Sequence, residues 1–126
     1  MADITPTVPE GRQLIQGYGA GRFRINGIAH DGSVLVFPET TLPWGVTRFE
    51  DLAPETLQPV LDRAAELDLL LIGCGPRFKP PSAVLAKPFA AVGIAVEMMD
   101  TGAACRTYNL LLTDGRRVAA ALIAVD

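Results

Sequence analysis

The sequence is poor in the residues that carry most metal and nucleophile chemistry. Its 126 residues include one histidine, His30, two cysteines, Cys74 and Cys105, and one tryptophan, Trp44. One histidine and two distant cysteines give no zinc-ligand spacing, so no metal centre is expected. Two cysteines are also too few for a disulfide framework. A Ser-His-Asp or Cys-His arrangement would have to recruit His30, which stands beside a turn. P-loop, kinase and hydrolase-elbow patterns are missing, and no cofactor is expected. Basic side chains are outnumbered fourteen to eleven, for a net charge of −3 and a pI near 5.1. Non-specific nucleic-acid binding needs a basic face, so nucleic acid is not an expected partner. The longest apolar runs, residues 69–72 and 118–125, fall far short of the ~18 residues of a membrane helix. Direct membrane insertion is therefore not expected. Residues 1–12 carry Asp3 and Glu10 and no apolar core, unlike a signal or transit peptide, and a reducing cytoplasm is the expected location.

What is present describes a folded chain. Hydrophobic residues make up 49% and charged residues 20% of the sequence, which excludes disorder. The length suits one domain able to bury roughly two-thirds of its unfolded surface. The proline-rich residues 1–13 read as a flexible tail, and residues 14–126 as a single α/β domain. Residues 14–37 read as a small antiparallel meander. Phe23 and Ile25 share one face, Asn26-Gly27 marks a hairpin turn, His30–Ser33 a second turn, and Pro38 stops the run 34–37. Pro54 suits a first helical position, and Leu57, Val60, Leu61, Ala64 and Ala65 form a helical stripe with Pro59 inside it. Residues 69–72 read as a buried strand, 81–92 as a helix closed by Gly93, and 94–98 as a second strand. Asp100 or Thr101 caps a helix running to about Leu112, and 118–125 is a last strand. Alternating strands and helices imply an α/β sheet covered by helices.

Two segments hold the candidate chemistry. Gly73-Cys74-Gly75-Pro76-Arg77-Phe78 follows a strand and begins like a dinucleotide fingerprint. Its sixth position is Phe78, however, and prolines delay the helix that a pyrophosphate site requires. A strand-to-loop turn with special backbone angles is the competing reading. In Asp100–Asn109, small residues open a helix directly after a strand. Free N–H groups there can hold an anion beside Arg106, and the helix dipole would favour a Cys105 thiolate. Alternatively, Asp100 or Thr101 caps the helix while Ala104 and Cys105 pack on the sheet. If strands 69–72 and 94–98 are parallel neighbours, both segments share the carboxyl edge where open sheets bind ligands. Gly73, Gly75, Arg77, Thr101, Arg106 and Asn109 are then the candidate ligand or anion residues, and a Cys74–Cys105 pair becomes a redox option. Residues 1–67 carry a net charge of −4 and residues 68–126 a net charge of +1, so Arg77, Arg106, Arg116 and Arg117 gather in the half that holds this edge. Trp44, with Val46 and Phe49, is either an exposed patch for a protein partner or an edge of the core.

The runs LLLIGCGPRF and GIAVEMMDTGAACRTYNLLLTDGRRVAAALI, with INGIAHDGSVLVFP and LPWGV upstream, resemble a known family. It includes a mitochondrial assembly factor for respiratory complex I, an adipogenesis-associated protein and many uncharacterised bacterial and archaeal proteins, and the chain is most similar to the bacterial branch. The resemblance rests on Gly73, Gly75, Thr101, Ala104, Thr107, Asn109, Arg116 and the final AALI. It implies a three-layer α/β domain with a central mixed sheet flanked by helices and an additional small antiparallel β-layer. It also implies a non-catalytic role with a protein partner, namely subunits of a membrane complex or other assembly factors. The alternative is a small-molecule or anion-binding protein, enzymatic or not, using the 73–77/100–109 edge.

Overall fold

A computed structural model describes residues 11–126. The part of the expected tail formed by residues 1–10 lies outside the described residues. Gln13 is hydrogen-bonded to the domain: its N–H donates to Pro38 O (3.1 Å), and its Oε1 accepts from Thr41 Oγ1 (2.7 Å).

Strands β1 (Ile15–Gly19), β2 (Arg22–Ile25) and β3 (Ile28–Asp31) form a three-stranded antiparallel sheet. Both turns are two residues long with left-handed backbones at each position, Ala20-Gly21 and Asn26-Gly27. That geometry matches the twist of the strands it joins. Alternation in β2 buries Phe23 and Ile25 and exposes Arg22 and Arg24, as the sequence predicts. The meander ends at β3, however. Strand β4 (Val34–Val36) was expected in it but leaves for the central sheet. All three of its residues are buried, and only a strand covered on both faces can use such a run.

The central sheet has five strands. In it β4 is joined by β5 (Thr41–Pro43), β6 (Leu69–Gly73), β7 (Ala95–Met99) and β8 (Val118–Leu122). The spatial order is β5-β4-β8-β6-β7. Strand β6 runs parallel to β7 and β8, while β4 runs antiparallel to β8 and β5, so the sheet is mixed. Side-chain alternation splits the core in two. Leu35, Leu70, Ile72, Ala119 and Ala121 face one side, with Trp44, Leu57, Val60 and Phe89. Val34, Val36, Leu71, Ala120 and Leu122 face the other, with Phe23, Ile25, Ala104 and Tyr108. The domain is therefore three-layered, with the small β-sheet and one helix sharing a face.

The helices depart from expectation in one place. The helix predicted from Pro54 through the stripe ending at Ala65 is broken. A 3-10 turn (Pro54–Leu57) leads into the single helical turn α1 (Gln58–Leu61), and a second 3-10 turn (Ala64–Glu66) follows. Pro59 supplies no N–H and its ring opposes the carbonyl four residues back, so a continuous ladder cannot form. The stripe still works: Leu57 and Val60 are fully buried, while Ala65 is exposed. Helix α2 (Ala83–Ala90) is capped by Ser82, whose Oγ accepts from Leu85 N, and Gly93 follows with a positive φ. Helix α3 (Thr101–Thr113) buries Thr101, Ala104, Cys105, Tyr108 and Leu112 along one face. Trp44 is a core residue, 6% exposed, with its indole N–H donating to Thr56 O at 2.8 Å. Val46 is buried too, so the expected apolar partner patch does not stand at Trp44. An indole placed against the core buries a large apolar area once its N–H has a partner.

Leu71 lies on the interior strand β6, fully buried beneath α3. Leu71→Ala should cost about 2–5 kcal/mol in urea unfolding. A loss below about 1 kcal/mol would contradict this packing, since sites that costless are not tightly packed.

Candidate functional site

The two chemistry-bearing segments do meet. Strands β6 and β7 end side by side, Gly73 paired with Met99, and the chains leaving them are bonded together. Cys74 N–H donates to Met99 O (2.8 Å) and Thr101 N–H to Gly75 O (2.8 Å). The buried Thr101 hydroxyl accepts from Gly75 N–H (3.0 Å) and donates to Ile123 O (2.7 Å). Gly73 is required by space: a Cβ there would sit 3.0 Å from Thr101 Cα and 3.0 Å from Leu122 Cδ2. Gly75 is required by angle, with φ +103. The strand-to-loop reading of this motif therefore holds over the dinucleotide one.

The N-terminus of α3 is already occupied. Asp100 Oδ1 accepts from Ala103 N–H at 2.9 Å, and its backbone carbonyl accepts from Ala104 N–H. A carboxylate already holds the place where an anion would use the helix dipole. The shallow cleft beside it, about 410 Å³, is lined by Tyr18, Gly75, Pro76, Asp100, Gly102 and residues 124–126. It thus contains two acidic side chains and none of the arginines.

Arg106 and Asn109 turn instead to the β-layer. Arg106 Nη1 donates to the Tyr18 hydroxyl at 3.1 Å. Tyr18 lies over Gly102, where an added Cβ would stand 2.5 Å from its Oη. Asn109 pairs with the backbone of Ile15 in both directions: its Oδ1 accepts from Ile15 N–H (2.8 Å) and its Nδ2 donates to Ile15 O (2.7 Å). The amide side chain thereby continues the ladder of β1 onto a helix. Arg77 sits in the exposed stretch 76–80, without a hydrogen bond or ion pair among the described residues. Of the six predicted residues, Gly73, Gly75 and Thr101 form one bonded cluster, Arg106 and Asn109 a second contact, and Arg77 stands apart from both. Sequence reasoning missed Tyr18, which no local motif announces.

Both cysteines are free and buried. They lie on opposite faces of the sheet, Cys74 with Leu70 and Phe89, Cys105 with Leu71 and Tyr108, which rules out the pair. Burial pushes the Cys105 thiol up to about 12, against a smaller opposing pull from Arg106. Of the two readings of Cys105, burial on the sheet therefore fits better than a thiolate favoured by the helix terminus. The Cys74 thiol is raised as well, chiefly by burial.

The chain belongs to the family described as protein of unknown function DUF498/DUF598. The family pattern matches residues 15–123, which include every strand and helix of the fold. An uncharacterised protein of Rhodobacter capsulatus is 43% identical over 90% of this chain and 86% of its own length. The Xenopus tropicalis NADH dehydrogenase [ubiquinone] 1 alpha subcomplex assembly factor 3 is 34% identical over 87% of this chain, which spans 60% of that protein. A solved structure described as an outer membrane protein from Bartonella henselae superposes with a TM-score of 0.86 at 34% identity, covering 92% of this chain and 98% of that one. The family resemblance and the three-layer fold read from the sequence are thus both established. Among the described residues, no helix is long and apolar enough to cross a membrane.

Asn109→Ala leaves the N–H and C=O of Ile15 unpaired. It should cost about 1–3 kcal/mol and raise hydrogen exchange at Ile15, which native-state exchange measurements will read. The raised Cys105 thiol binds its proton more tightly in the folded state, so its contribution is complete below the unfolded value of 9.0 and is lost as pH rises toward about 12. The fall in melting temperature between about pH 9 and 10 should be shallower in Cys105→Ala than in the parent chain.

Proposed function

We propose that the chain is a non-catalytic interaction protein that assists the assembly of a respiratory complex I-like membrane complex, docking from the aqueous side. The observation carrying this reading is its 34% identity to an assembly factor across nearly the whole domain. The chemistry of the 73–77/100–109 edge supports it. The polar groups that would serve a substrate there are engaged in holding strands β6, β7 and β8, helix α3 and the β-layer together. A catalytic centre keeps donors and nucleophiles free and suitably ionised, whereas here both thiols are buried, and burial raises each above the ordinary thiol value. The partner is a protein, and the compartment is the aqueous phase bordering that membrane.

Affinity capture of the tagged full chain from detergent-solubilised source cells tests the role. Subunits of a respiratory membrane complex, or their assembly proteins, should be enriched over a tagged control. Recovery of the protein without them would overturn the assignment.

A further inference from the structure

A concavity rich in arginine lies at the other end of the sheet. There β4 ends, β6 and β8 begin, and a cleft of about 400 Å³ opens. Four arginines line it from three separate stretches of chain: Arg12 before β1, Arg63 after α1, and Arg116 and Arg117 between α3 and β8. Glu39 and Glu66 are also in the lining, so its formal charge is +2. Neither glutamate forms an ion pair with any of the four arginines among the described residues.

Two of the guanidiniums are held in place. Arg117 makes a two-pronged contact with Asp68 (2.7 and 3.0 Å) and donates to Ala65 O (3.1 Å). Arg63 donates to Pro59 O (3.0 Å) and lies 4.3 Å above the Phe37 ring. The side chains of Arg12 and Arg116 make no hydrogen bond or ion pair with a described residue. A planar guanidinium matches the two oxygens of a phosphate or carboxylate, and side chains fixed beforehand lose less entropy when they bind. The volume lies within the range of small-molecule sites, and Phe37, Pro38 and Leu67 supply an apolar wall.

We infer that this cleft binds a small soluble polyanion carrying phosphate or carboxylate groups, gripped by Arg12 and Arg116 and supported by Arg63 and Arg117. This goes beyond the assembly reading and does not depend on it. The cleft sits opposite the edge that glycine motifs mark, and its residues come together only through the fold.

The test is a nuclear magnetic resonance titration of the isotope-labelled full chain with inorganic pyrophosphate and, separately, with citrate, at about 0.15 M salt to suppress loose surface attraction. Vesicles of phosphatidylcholine with phosphatidylglycerol form a third arm. Saturable shifts at Thr40, Gly115 and Arg116 with at least one soluble probe are expected. Affinity should fall about tenfold or more in Arg116→Ala, the loss of a charge-assisted contact, and stay unchanged in Arg77→Ala. Both arginines are exposed, so neither variant threatens the fold. The inference is overturned if neither soluble probe saturates, if only vesicles bind, or if both variants lose affinity alike.

Discussion

The hydroxyl of Thr101 is the contact on which the arrangement of the domain depends. It accepts from Gly75 and donates to Ile123, so one side chain joins the exits of β6 and β8 to the start of α3. Those three elements can approach so closely only because Gly73 has no Cβ. Buried polar groups are costly when unpaired and specific when fully paired. Thr101 is fully buried with both its donor and its acceptor used, which fixes one register of the parallel strands against the helix.

The same bonding explains why most polar groups of the edge that looks functional are already engaged. Ligand sites in open sheets form where loops diverge at the carboxyl ends of parallel strands. Here the loops are stitched together, Asp100 fills its own helix terminus, and Asn109 spends its amide on Ile15. Of the residues shared with the family pattern, Gly73, Gly75, Thr101 and Asn109 are therefore explained by architecture. Cationic groups collect at the far edge, where Arg63 and Arg117 are held by the chain and Arg12 and Arg116 are left without a side-chain partner among the described residues.

Much of the fold was legible because local chemistry and final environment agree. The two-residue turn Asn26-Gly27, the alternation of Phe23 and Ile25, the stop at Gly93 and the cap at Asp100 each depend on a few neighbouring residues. The helix predicted from Pro54 to Ala65 misled because its apolar stripe is real while Pro59 forbids the ladder beneath it. Strand β4 misled because sequence proximity to the meander says nothing about which sheet a fully apolar strand will join. Trp44 could have covered either surface or core until its indole met Thr56.

By itself the sequence determined the α/β class, the order of nearly all elements, the small β-layer and the family. These follow from periodicity, turn residues and motifs, which are written along the chain. Only the tertiary structure decided that Cys74 and Cys105 face opposite ways, that Arg106 and Asn109 turn to β1, and that Arg12, Arg63, Arg116 and Arg117 share a cleft. Each of these depends on segments far apart in sequence, brought together by sheet order and the pleat, and neither is encoded in any local pattern.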